Sequence, residues 1–170
     1  MEKLYKKSTA SGISTITFNF PYLDRGEENS SGEDLTEEQQ TIAQIINFIS
    51  QFNFKEIKFI AKSLGDIVLA KYLQNNQKDL HEKKIEVVIP GYVLGDIDLS
   101  GFKGNLTVIQ GSNDRLGNAD AVRKDLYSNG LSEARVIEIE GADHSYRISD
   151  TNEPKFEDEV VNLVFHYDDE

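Results

Sequence analysis

Short runs of β-branched and aromatic residues alternate along this chain with longer stretches whose apolar residues recur every three or four positions. The runs are residues 13–20 (ISTITFNF), 56–61 (EIKFIA), 84–89 (KIEVVI), 105–110 (NLTVIQ) and 135–140 (RVIEIE), and all but the second stop directly at a proline or glycine. Such runs read as strands. Between them, residues 36–52 carry Ile42, Ile45, Ile46 and Ile49 at helical spacing, with Thr36 and Gln39 in the pattern of a capping box. Residues 63–75, 119–129 and 156–167 read as further helices, and residues 1–11 as a helix ending at Gly12. Strands alternating with helices predict an α/β fold, a three-layer sandwich around an open, mostly parallel sheet of about five strands. No composition break, repeat or low-complexity block divides residues 1–170, so one domain is expected.

Charge narrows the function classes. The formal charge is −12, and the excess acid is concentrated. Residues 24–38 hold seven acidic residues against one basic, and residues 150–170 hold eight against one. The rest of the chain is close to neutral. These stretches read as solvated loop and tail, and neither has the spacing of an EF-hand loop. A chain of this charge repels nucleic acid and anionic membranes. It has no Cys, hence no disulfide and no thiolate nucleophile, and only three His: His81, His144 and His166. No metal and no cofactor is expected: dinucleotide and P-loop glycine motifs are absent, and ligand residues near the strand ends are few. No long apolar segment or signal-peptide pattern is present, so a cytoplasmic location is the default expectation.

In open α/β sheets, sites collect beyond the carboxyl ends of the strands. Three residues found there carry chemistry. Ser63 sits between a strand and a helix in Ala61-Lys62-Ser63-Leu64-Gly65, close to the G-x-S-x-G of a nucleophile elbow, with Ala at the first glycine. The Leu64 amide would be one oxyanion donor. Asp114 follows the fourth strand and His144 the fifth. Alone, each has an ordinary reading: a helix cap, a turn aspartate, a polar loop histidine. Together, in the order Ser, Asp, His, they match the nucleophile, orienting acid and general base of the α/β-hydrolase arrangement. His81 and His166 are poorly placed for this work.

On these motifs the chain resembles small α/β-hydrolases of the dienelactone-hydrolase-like group, in the branch of testis-expressed and chromatin-complex hydrolase-like proteins. The stretches that carry the resemblance are Thr17-Phe18-Asn19-Phe20-Pro21-Tyr22, Lys62-Ser63-Leu64-Gly65, Val108-Ile109-Gln110-Gly111 with Asp114-Arg115-Leu116-Gly117, and Gly141-Ala142-Asp143-His144-Ser145. The resemblance implies Ser63, Asp114 and His144 as the triad. Asp66 stands where the family often has a second glycine. The family also has an earlier strand, ending in a His-Gly motif that supplies the second oxyanion amide and lying between the strands matching 13–20 and 56–61. It is not among these residues, so a truncated hydrolase fold is expected. The two flanking strands would then pair directly, leave a groove, or borrow a strand from a partner.

The expected activity is serine hydrolysis of a small carboxylic ester or thioester through an acyl-enzyme. Pro21, Tyr22, Tyr92 and Leu94 are expected to wall the substrate pocket. The alternative is a catalytically weak or silent hydrolase-like module with a protein-binding role. The expected partner is a small-molecule substrate, and unpaired strand edges favour a homodimer.

Overall fold

The computed structural model describes residues 2–80, 82–148 and 150–166; His81 lies outside them. The elements in chain order are α1 (Glu2–Ala10), α2 (Pro21–Asp24), α3 (Thr36–Ser50), β1 (Glu56–Ile60), α4 (Leu64–Asn76), β2 (Lys84–Pro90), β3 (Asn105–Gly111), α5 (Ala119–Ser128), β4 (Arg135–Ile139) and α6 (Glu157–His166). A short 3₁₀ turn, Gln77–Leu80, follows α4. The four strands form one parallel sheet in the order β1-β2-β3-β4.

Side-chain alternation along the strands splits the interior in two. Ile85, Val87 and Ile89 of β2 and Leu106 and Val108 of β3 face a cluster completed by α3, α4 and α5. Val88 of β2, Ile109 of β3 and Ile139 of β4 face the other way, toward Val160 and Val164 of α6 and Leu4 of α1. The connections through α4 and α5 therefore return over the same face, as right-handed crossovers advancing one strand at a time require. β2 and β3 are buried from their second residue onward, which explains why they read as continuous apolar runs.

The run at 13–20 is not a strand. It belongs to no ladder among the described residues, so the sheet has four strands rather than five, and direct pairing of this run with β1 does not occur. It leads from α1, which is bonded to α6 through Lys3–Asp158 and Lys7–Asn162, to α2 and α3 on the opposite side of the sheet. Ile16 and Phe18 remain 46% exposed, and Phe20 alone of the run packs on the core. Strand propensity measures how well a residue fits beside a neighbour, and this run has none.

The capping box at Thr36 is also replaced. Leu35 takes a left-handed conformation (φ 52°) that sends its side chain into the core, and Thr36 becomes the first helical residue. Ser31 does the capping: its Oγ accepts from the Glu37 amide, and its own N–H and hydroxyl donate to the buried Glu38 carboxylate.

Candidate active site

Ser63 follows the end of β1 and precedes the first residue of α4. Its backbone, at φ 54° and ψ −126°, lies outside the ordinary regions for an L-residue. Such a conformation costs on the order of 1–3 kcal/mol and persists only where its surroundings enforce it. Lys62 and Ser63 carbonyls accept from the Gly65 and Asp66 amides, which closes the turn directly into the helix. Leu64 is the first residue of α4, so its amide belongs to the helix-terminal set that has no intrahelical partner. Gly65, which fills the last glycine of the G-x-S-x-G pattern, has open space where a Cβ would stand. Close approaches beside His144 and its loop occur at Gly91 and Gly111, and further away at Gly104 and Gly117. A Cβ on Gly91 (φ 86°) would lie 3.0 Å from Lys62 Nζ and 3.1 Å from His144 Cε1. A Cβ on Gly111 would strike the Ala142 carbonyl.

The loops after β3 and β4 are tied together before either reaches the site. Ser112 N–H donates to the Ile139 carbonyl at 3.0 Å, Asn113 N–H to Ala142 at 2.9 Å, and Gly141 N–H to Ser112 Oγ at 2.8 Å. On this frame His144 Nδ1 stands 2.8 Å from Asp114 Oδ2. Asp114 is buried, and its carboxylate accepts two further bonds, from Leu116 N–H at 2.8 Å and from Gln110 Nε2 at 2.9 Å. A carboxylate so used is an acceptor, which assigns the proton of that contact to Nδ1; in the neutral ring Nε2 then carries the lone pair. Nε2 is shielded from solvent and has no hydrogen-bond partner among the described residues.

Gln110 is a site residue that sequence reading missed. It is fully buried, and its Oε1 accepts from the Tyr92 amide at 2.8 Å while Nε2 donates to Asp114 and the Gly117 carbonyl. The available signal was a polar amide ending an otherwise apolar buried strand. Tyr146, at φ 60°, is held by its hydroxyl on the Ile109 carbonyl, 2.8 Å away.

Asp66, on the first turn of α4, is 1% exposed, and neither carboxylate oxygen has a well-formed hydrogen bond among the described residues. Burial pushes its pKa up to about 7; nearby amides of Ile67 and Val93 and the Lys62 charge offset only part of this. Lys62 is pushed down by burial, against the raising influence of Asp114, Asp66 and Asp143.

The residues expected to wall a pocket differ in burial. Pro21 and Tyr22 open α2 and are half-buried. Tyr92 is 1% exposed, part of the core, and its hydroxyl donates to Asp125 at 2.7 Å. Leu94 is partly exposed and packs where a side chain on Gly117 would stand. Two surface concavities lie elsewhere, one of about 40 Å³ beside Leu73 and Phe102, the other of about 250 Å³ beside Arg123 and Tyr127.

A strained serine at a strand–helix turn and a carboxylate–imidazole pair at the ends of later parallel strands are the marks of one class of enzyme folds. The alpha/beta hydrolase domain family matches residues 1–167, and the chain belongs to it. No curated protein and no solved structure matches the chain. Among the described residues no group of His, Asp and Glu could hold a metal ion, and no helix is long and apolar enough to cross a membrane.

Proposed function

We propose that this protein is a serine hydrolase acting on a small carboxylic ester or thioester, in the dienelactone-hydrolase-like branch of its family. The observation that carries the reading is the His144 ring, bonded through Nδ1 to the buried Asp114 and keeping Nε2 unpartnered. That is the state a general base must be in before it meets a nucleophile. The strained backbone of Ser63 supports it as that nucleophile.

In the proposed reaction Ser63 Oγ attacks the substrate carbonyl carbon while its proton passes to His144 Nε2. The tetrahedral oxyanion takes a hydrogen bond from the Leu64 amide. Collapse breaks the bond to the alcohol or thiol, which leaves with the proton from Nε2. Water then attacks the acyl-serine, giving its proton to Nε2, and collapse returns that proton to Ser63 as the carboxylic acid departs. An oxyanion donor such as the Leu64 amide is worth about 2.7–4 kcal/mol to such a reaction.

A second reading is a weakly active or silent module that binds a protein. It is favoured by the outer edge of β1, which has no strand partner among the described residues, and by the exposed Ile16, Phe18, Phe48 and Phe52. A fluorophosphonate probe separates the two. Mass measurement of the intact protein should show one adduct that Ser63→Ala abolishes. Folded protein without an adduct after prolonged exposure supports the silent module.

A further inference from the structure

We propose that Lys62 is a positioning residue for the base, its ammonium pinning the main chain of His144 to the turn that carries Ser63. The role in turnover rests on the serine-hydrolase reading; the positioning itself does not. Lys62 is the residue before Ser63, yet its side chain reaches a loop 82 residues away and donates to the His144 carbonyl. The same Nζ stands 5.0 Å from the centroid of the Tyr146 ring. Below it is Gly91, whose missing Cβ makes room for both Nζ and the imidazole. One ammonium thus touches the ends of three structural units: the turn after β1, the turn after β2 and the loop after β4.

The contact fills a specific need. Asp114 holds His144 at Nδ1, but a single hydrogen bond leaves the ring free to pivot about that bond. Fixing the residue's own carbonyl removes the freedom, and a charged donor does so more firmly than a neutral one. The aromatic face of Tyr146 gives the ammonium a second contact, and the negative charges of Asp114, Asp66 and Asp143 around it offset part of the desolvation that burial imposes. That acidic surround also argues against the ammonium serving as a receptor for an anionic substrate. The coupling is local in sequence at one end only, so nothing in the pentapeptide Ala61-Lys62-Ser63-Leu64-Gly65 announces it.

The test uses the full chain labelled with ¹⁵N. Long-range ¹H–¹⁵N spectra report ring tautomer and mobility, with His144 assigned through His144→Gln. Wild type should give one sharp set for His144, in the Nδ1-protonated form. Lys62→Met should broaden or split that set and slow fluorophosphonate labelling about tenfold or more, while Lys62→Arg should keep the single set and label within about threefold of wild type. Should Lys62→Met fail to fold, Lys62→Gln, a neutral polar side chain of shorter reach that does not press on the imidazole, should give the same ring signature. A folded Lys62→Met protein with unchanged ring signals and unchanged labelling would overturn the proposal. A wild type that never labels refutes the hydrolase reading instead, and the ring spectra then decide the positioning role by themselves.

Discussion

Residues 13–20 and 135–144 look alike as sequence: each is a short β-rich run leading into a turn marked by proline or glycine. In the folded chain they part company. Residues 135–139 pair with β3 along five registered positions and deliver His144 beside Asp114. Residues 13–20 join no ladder among the described residues and leave Ile16 and Phe18 partly in solvent. The difference lies in the neighbour. A strand that joins a ladder has its end fixed, so the loop beyond it can hold a side chain in place. A run without a ladder can do neither.

The strongest way to break this comparison is to attack the ordered end. Ser63→Ala and His144→Ala should abolish fluorophosphonate labelling. Asp114→Asn should lower its rate by about 10³–10⁴-fold, because the amide can present a donor to Nδ1 and favour the wrong tautomer. Measured second-order labelling rates check all three. An Asp114→Asn protein that labels at the wild-type rate would remove the orienting role.

Asp66 should give the next largest effect, read as stability against pH. Its folded pKa is raised to about 7 from an ordinary 3.8. Between those values the folded state binds more protons than the unfolded one, so stability falls as pH rises through that window. The loss from this group should approach about 4 kcal/mol by pH 8. Asp66→Asn should remove it, so the variant gains on wild type between pH 5 and pH 8 in urea unfolding. A constant difference at both pH values would contradict the raised pKa.

Gln110→Leu tests the missed residue. It strips a donor from Asp114 and leaves the Tyr92 amide without its acceptor. The expected cost is about 1–3 kcal/mol of stability, together with slower labelling. Equal stability would place the bonding of Asp114 elsewhere.

The smallest effects should come from the unpaired run. Phe18→Ser should change labelling and stability little, within about 0.5 kcal/mol. If the homodimer expected from the sequence forms, through the outer edge of β1 or the exposed helix faces, light scattering should give twice 19.2 kDa. Hydrogen exchange of residues 15–20 reports whether assembly pairs them. A monomer at every concentration with fast exchange there would exclude the dimer.

Much was legible without the fold. Four of the runs are strands, the five expected helices fall within a residue or two of their expected ends while α2 was not foreseen, and the order of Ser63, Asp114 and His144 can be read because parallel strands all present their carboxyl ends on one side. These features are local, set by periodicity and by proline and glycine stops. What the sequence left open was decided by neighbours far along the chain. Whether residues 13–20 form a strand depends on a ladder partner. Tyr92, expected in a pocket wall, packs in the core with its hydroxyl on Asp125, 33 residues on. Gln110 supports Asp114, and Lys62 reaches the His144 carbonyl, only once the strand ends are side by side. Hydrogen bonds between side chains and distant main chain leave no periodic trace, so only the tertiary structure could assign them.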